Sequence, residues 1–171
     1  MIRPFSKDDA QDLFDYLSDP QIYIYEPGKP INMEKAEVYA RDMANNPDFC
    51  AVELKSEHKV IGRLHLSQQE PRHLRTWELG YIMNPRYQDQ GYGSEAAAAL
   101  VDYGFEQLSM HRIVAYCNPD NVDSWKLLKR IGFRREGLLR KNIYFRYDAE
   151  GNPIWWDSYA YARLDEKYEV T

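Results

Sequence analysis

Residues 88–99 read Gln88-Asp89-Gln90-Gly91-Tyr92-Gly93-Ser94-Glu95-Ala96-Ala97-Ala98-Ala99. The stretch follows a strand-like segment, Leu74 to Met83, and opens an alanine-rich run with strong helix propensity. Two glycines let the backbone turn tightly and let a ligand approach without a Cβ in the way. The first N–H groups of the helix behind them have no intrahelical partner. Strand, glycine turn and helix N-terminus together make a cradle for the oxygens of a pyrophosphate. Two other phosphate cradles do not fit. No Lys-Ser/Thr pair follows the glycines, as a P-loop needs, and Ala96 stands where a dinucleotide fingerprint would place its third glycine.

Outward from this stretch, short strands and helices alternate, which predicts a layered α/β fold. On the N-terminal side, Ile2–Phe5 reads as a strand. Ser6 caps a helix running to Leu17, with Asp8 and Asp9 in its first turn, where the helix dipole favours them. Residues 18–30 hold three prolines and a glycine and read as a loop, although Tyr23, Ile24 and Tyr25 are apolar for one. Asn32 caps a second helix, which Asn45-Asn46-Pro47 ends. Phe49–Lys55 and Val60–Leu66 read as strands around a polar turn, and Leu74–Met83 is a third, stopped by Asn84-Pro85. After the helix from Gly93 to Leu108, Arg112–Cys117 alternates as a strand and Asn121–Ile131 as a helix. Phe133 onward and Ile154–Arg163 form a closing strand pair across a turn at residues 148–153.

The chain has 171 residues, the size of one domain, and predicts a single unit over 1–171. A chain of this length buries roughly 70% of its unfolded surface, so it needs no disulfide or metal to stay folded. Cys50 and Cys117 lie far apart in apolar runs and read as buried free thiols of a reducing compartment. The four histidines (58, 65, 73 and 111) lack the spacing of a metal site, so no metal is expected. His65 could face a substrate from its strand but reads foremost as a structural histidine. No apolar run approaches the ~20 residues of a membrane span, and the charged N-terminus is not a secretory signal. These features predict a cytoplasmic protein that does not bind membranes. A net charge of −5 and a pI near 5.4 argue against nucleic acid as a partner. Arg134, Arg135, Arg140 and Lys141 read as a solvated strand face.

A second motif lies about 30 residues beyond the glycines: Asn121-x-x-Ser124-x-x-Leu127-Leu128-x-x-x-Gly132-Phe133. Gln88-x-x-Gly91-x-Gly93 resembles the acetyl-CoA loop of the GNAT superfamily of N-acetyltransferases, and the second motif resembles that superfamily's other signature. Glu78-Leu79-Gly80-Tyr81, Glu136-Gly137 and Trp156-Asp157 make the pattern look most like the RimJ/RimL-like (ribosomal-protein N-acetyltransferase) branch, over residues 2 to 168. The resemblance implies an α+β GNAT fold, a mixed and mostly antiparallel twisted sheet of six or seven strands with about four helices. It implies acetyl-CoA as co-substrate, held by backbone near Ile82 and Met83, by N–H groups of Gln88, Asp89, Gln90, Gly91, Tyr92, Gly93 and Ser94, and by Asn121. It also implies a primary-amine acceptor and, as in many relatives, a possible homodimer.

Acetyl transfer to an amine requires a deprotonated nucleophile, and primary amines are largely protonated at neutral pH. A base, an oxyanion donor and an acid for the leaving thiolate therefore help. Alternation along Leu74–Met83 sets Thr76, Glu78, Gly80 and Ile82 on one face and Trp77, Leu79 and Tyr81 on the other. Glu78, a carboxylate among apolar neighbours shortly before the loop, is the candidate base, its alternative being an arginine-paired structural glutamate. Ser124 is the candidate acid, a role implied by the resemblance. Its alternative is a helix-capping serine. The chain departs from the resemblance twice. Leu128 replaces the superfamily's tyrosine, and residues 138–144 lack the glutamate found in the ribosomal-protein branch, which argues against ribosomal-protein N-termini as acceptors. Trp155-Trp156 and Tyr159-Tyr161 read chiefly as core and interface, and some of these rings, with Tyr23 and Tyr25, are candidates to line an acceptor pocket. The reading is an N-acetyltransferase acting on a peptide N-terminus or small amine by direct attack in a ternary complex, against the alternative of a non-catalytic acyl-CoA-binding or sensor module.

Overall fold

The computed structural model describes residues 1–165 and 167. The C-terminal limits of the expected domain and of the resemblance, 171 and 168, lie outside the described residues. Seven strands form one sheet: β1 (Ile2–Pro4), β2 (Phe49–Leu54), β3 (Lys59–Gln68), β4 (Thr76–Met83), β5 (Arg112–Cys117), β6 (Arg134–Tyr147) and β7 (Pro153–Leu164), in the order β1-β2-β3-β4-β5-β7-β6. Four helices accompany it: α1 (Ala10–Leu17), α2 (Met33–Ala44), α3 (Tyr92–Gln107) and α4 (Val122–Arg130).

The sheet is antiparallel except at one place. Strands β4 and β5 run parallel and pair over three positions, Thr76 with Arg112, Trp77 with Ile113 and Glu78 with Val114. Past these rungs the strands part. Strand β4 continues to Met83 against β3 alone, and β5 continues to Cys117 against β7 alone. The parting leaves an open fork in mid-sheet, bounded by Gly80–Met83 and residues 115–117.

Two cores lie on the two faces of the sheet. On one face, Leu79 and Met83 of β4 meet Ala97 and Val101 of α3 and Leu128 of α4, and Trp77 and Tyr81 pack against the cluster. On the other, Ile82 joins Leu13 and Leu17 of α1 with Ala40 and Met43 of α2. The alternation expected along β4 is the alternation observed. Leu128 is wholly buried in the first core, so the position where the superfamily signature has tyrosine serves packing here and presents nothing to the fork.

Residues 18–30 are more ordered than a loop. Pro20–Ile24 forms a 3₁₀ turn, capped by Asp19, whose Oδ1 accepts the Gln21 N–H at 2.9 Å. Ile22 and Tyr23 are buried, and the Tyr23 hydroxyl donates to the Leu17 carbonyl at 2.8 Å, which accounts for the apolar residues in this segment. The first helix likewise opens as a 3₁₀ turn, Lys7–Asp9, within a capping box between Ser6 and Asp9. Cys117 is buried as expected and Cys50 only half-buried, both as free thiols. Replacing Leu128 by Ala removes a fully buried side chain at the base of the fork. Such truncations cost about 2–5 kcal/mol, and chemical denaturation of Leu128→Ala is expected to show a loss in that range.

Candidate functional site

The glycine loop forms because β4 is stopped abruptly. Asn84 is buried, its N–H bonded to the Ile61 carbonyl at 2.8 Å and its Oδ1 accepting the Arg86 N–H at 3.0 Å. A 3₁₀ turn over Pro85–Tyr87 follows. Asp89 at φ 59° and Gly91 at φ 85° take left-handed backbone, which reverses the chain into α3. Within α3 the first bond is Glu95 N–H to the Gly91 carbonyl at 2.9 Å, so the N–H groups of Tyr92, Gly93 and Ser94 point outward as orphans. The Arg130 guanidinium donates to Ser94 Oγ at 2.8 Å and sets a cation beside them.

Two residues named for this cradle act differently. Gln88 spends its backbone N–H on the Pro85 carbonyl at 3.4 Å, while its side-chain amide braces the Met83 carbonyl at 3.1 Å. Gln90 does not line the cleft and reaches the Arg86 carbonyl at 3.4 Å instead. Along β4, Asn84 bonds to β3, so alternation turns the peptide groups of Ile82 and Gly80 toward β3 and those of Met83 and Tyr81 toward the fork. The Met83 peptide group thus faces the fork, whereas the Ile82 backbone pairs with β3 and its side chain lies in the second core.

Helix α4 enters the fork from its N-terminal end. Asn121 caps it, Oδ1 accepting the Ser124 N–H at 3.2 Å. Asn121, and not Ser124, is therefore the cap, and the Ser124 hydroxyl is left to meet the Tyr81 hydroxyl at 2.9 Å. Tyr81 also donates to the Ser124 carbonyl at 3.0 Å. Burial pushes the Tyr81 phenol above its ordinary pKa, against the hydrogen bond from Ser124. The Cys117 thiol beside it is pushed up to about 11 by burial, again opposed by Ser124.

Two clefts meet at this hydroxyl pair. The first, of about 520 Å³, runs from the pair to the glycine loop and includes Met83, Gly93, Leu127 and Arg130. The second, of about 380 Å³, lies on the opposite side of the fork. Its walls carry the carboxyl groups Glu78 and Asp157, the Arg63 guanidinium, the His65 imidazole, and rings including Phe49 and Trp156. Tyr25, Glu26, Tyr81, Ile82, Asn121 and Ser124 line both, so Ser124 stands at the junction and Glu78 in the second cleft alone. His65 stacks on Phe49 at 4.5 Å between centroids, and burial lowers its pKa, assisted by Arg63 and opposed by Asp48 and Glu78. Tyr25 and Trp156 line the second cleft; Tyr23, Trp155, Tyr159 and Tyr161 do not. Among the described residues no cluster of His, Cys, Asp and Glu could hold a metal ion, and no helix is long and apolar enough to cross a membrane.

Three residues of the site are given no role by the sequence, although two of them, Tyr81 and Asp157, lie in segments that carry the resemblance. The Tyr81 ring belongs to the α3 face of β4, yet at the fork its hydroxyl reaches the junction. Glu26 sits in a segment without periodicity. Its carboxyl is pushed up to about 7 by burial, against the pull of Arg63. Asp157 accepts the Lys141 N–H at 2.8 Å and supplies from β7 an acid that residues 138–144 lack.

Residues 1–134 match the acetyltransferase (GNAT) domain. The chain belongs to the GNAT acetyltransferase family. The uncharacterized N-acetyltransferase YnaD of Bacillus subtilis (strain 168) is 37% identical over 169 residues, covering 98% of this chain and 95% of that protein. The crystal structure of a GNAT-family acetyltransferase from Bacillus anthracis superposes with a TM-score of 0.86 at 34% identity, covering 96% of this chain and 94% of that one. The ribosomal-protein-serine acetyltransferase of Escherichia coli (strain K12) is 31% identical over 108 residues, 63% of this chain and 56% of that protein. As a GNAT member the chain is an acetyltransferase enzyme, of a family that uses acetyl-CoA, and its sheet and four helices are those the resemblance implied.

The first cleft is tight at Gly93, where an added Cβ would meet Met83 Cγ at 3.2 Å and Leu127 Cδ1 at 3.3 Å and press on both side chains. Gly93→Val is expected to raise the Kd for CoA at least tenfold, about 1.4 kcal/mol, by isothermal titration calorimetry. The native circular dichroism spectrum should be retained.

Proposed function

We propose that this enzyme transfers the acetyl group of acetyl-CoA to a cationic primary amine, a peptide N-terminus or a small amine, by direct attack in a ternary complex in the cytoplasm. The observation that carries the reading is the Tyr81–Ser124 hydroxyl pair at the junction of two clefts. One cleft ends on orphan helix N–H groups and Arg130, which suit phosphate oxygens. The other offers carboxylates and aromatic rings, which suit a cation with an apolar body.

When bound, acetyl-CoA supplies an activated acetyl thioester. Tyr92, Gly93 and Ser94 hold its pyrophosphate by N–H groups, with Asp89 and Gly91 shaping the turn. Met83 meets the pantetheine arm along the fork, and Asn121 keeps its amide for that arm while its oxygen caps α4. Glu78 draws the acceptor ammonium and takes up its proton, directly or through water. Peptide N–H groups of Tyr81 and Met83, turned into the fork, stabilise negative charge on the carbonyl oxygen. Ser124, backed by Tyr81, gives a proton to the departing thiolate. Leu128 lies in the core, so the hydroxyl that its position would supply in the superfamily comes from β4 as Tyr81.

Free-thiol release from acetyl-CoA over a tripeptide, spermidine, kanamycin and phenethylamine, against an enzyme-free control, tests the reading. Amine-dependent release is the expected outcome, and its absence with every amine would defeat it. Ser124→Ala is expected to lower kcat about 10²-fold, within the usual range for losing a general acid, and to shift Tm little, because Asn121 retains the cap. A Tm loss with kcat intact would assign Ser124 a structural role. Tyr81→Phe is expected to lower kcat as well, and to lower it no further in the Ser124→Ala background.

A further inference from the structure

Acetylation of an ammonium ion removes two protons from the nitrogen. One leaves before attack, to free the lone pair. The second leaves after the N–C bond has formed and before the C–S bond has broken, when the nitrogen is again cationic. The leaving thiolate gains one proton, so the balance is ammonium plus thioester giving amide, thiol and one proton to solvent. Glu78 is placed for the first proton, on the wall of the acceptor cleft. At the junction, where the second is released, the carboxyl lining both clefts is Glu26.

We propose that Glu26 is a catalytic residue of this transfer, the acceptor of the second proton at the reacting centre. The inference rests on the acetyl-transfer reading and adds a residue to it. Glu26 lies in the segment that follows the 3₁₀ turn, and two contacts from distant parts of the chain hold that segment in place. Tyr25 Oη donates to the Asp120 carbonyl at 3.2 Å, at the entry to α4. The Arg146 guanidinium of β6 donates to the Tyr23 carbonyl.

The charged and titratable groups around Glu26 come from every wall. From β3, Arg63 stabilises its carboxylate, and His65 stands in the same cleft with its pKa lowered. From β4, Glu78 lines the acceptor cleft, and the Tyr81 phenol is raised in part by the Glu26 charge. From β5 comes Cys117, from β7 Asp157, and from α4 Asp123 and Lys126 on the cofactor side. Burial outweighs Arg63 and holds the carboxyl near 7, where a group can accept a proton and release it again at neutral pH. Glu26, Tyr81 and Ser124 line the same junction, and in the proposal the proton taken by Glu26 returns through water to restore the hydroxyl that protonated the thiolate. Glu26, Tyr81 and Ser124 then finish the turnover as they began it, and the proton on Glu78 passes to solvent.

The test compares wild type, Glu26→Gln, Glu26→Asp and Glu78→Gln between pH 5.5 and 9. It uses acetyl-CoA and whichever of the four amines above gives the fastest thiol release. For wild type, kcat is expected to fall as pH drops through about 7. Glu26→Gln should lower kcat about 10²-fold, a usual general-base contribution, and abolish that inflection. Glu26→Asp should recover part of the rate, and Glu78→Gln should keep the inflection. A Glu26→Gln enzyme within about threefold of wild type, with the inflection retained, overturns the proposal.

A second readout needs no turnover. The carboxyl's pKa in the fold, about 7, lies above its ordinary 4.5, so the native state holds the proton through that window and loses stability as pH rises through it. Glu26→Gln should therefore gain in Tm relative to wild type between pH 5 and pH 8. A Tm difference that does not change with pH overturns the proposal whatever the kinetics show. Absence of amine-dependent thiol release from wild type counts against the acetyl-transfer reading instead.

Discussion

The structure depends on the three-rung parallel pairing between β4 and β5. Three rungs anchor Glu78 to Val114 and fix the direction of both strands, and stopping there leaves backbone groups of β4 without a partner. A buried edge of unpaired peptide groups is costly, and a protein that keeps one must fill it or offer it to a ligand. Here the Gln88 side-chain amide takes up the Met83 carbonyl, α4 is tied beside the strand by the Tyr81 hydroxyl, and the remainder faces a cleft. The two cores, on opposite faces of the sheet, hold the fork open: β4 is committed to both, by Leu79 and Met83 on one side and Ile82 on the other.

Much of this was legible in the sequence because its signals are local. Alternation placed Leu79 and Ile82 on the correct faces, and Asn84-Pro85 marked the end of β4. The glycine pair marked the turn into α3, and Asn121 marked the start of α4. What was not legible depends on contacts between distant segments. Nothing near Gln88 shows that its N–H will be consumed by a 3₁₀ turn. Ile82 and Met83 are adjacent and similar, and only the register with β3 decides which peptide group faces the fork. Tyr81 was assigned to the correct face, but strand alternation does not reveal that the sheet opens beside it, so its hydroxyl passed unnoticed. Glu26 lies where no periodicity operates, and its environment is made by Arg63 and Tyr81, residues far along the chain. Leu128 was noted as a departure, and the core explains it.

The electrostatics of the site follow from its position between layers. Burial moves Tyr81, Cys117 and Glu26 toward their neutral forms, while Arg63 acts as the local counterweight for the carboxyl. Hydroxyls and neutral-leaning acids, with the single guanidinium of Arg63 beside them, line the place where charge must appear and vanish during acyl transfer. Other ionisable groups lie along the two clefts, Arg130 at the phosphate end and Glu78 and Asp157 on the acceptor wall.

Strand β7 lies between β5 and β6 although it is made after both. Until it is synthesised, β5 has a bare edge, and β6 has no neighbour among the described strands. The wall that carries Trp156 and Asp157 is therefore held from both edges, by β5 on one side and β6 on the other. A strand clamped in this way has little freedom to shift, so the acceptor side of the site is set by the sheet itself, while the opposite wall is built from turns and side-chain contacts.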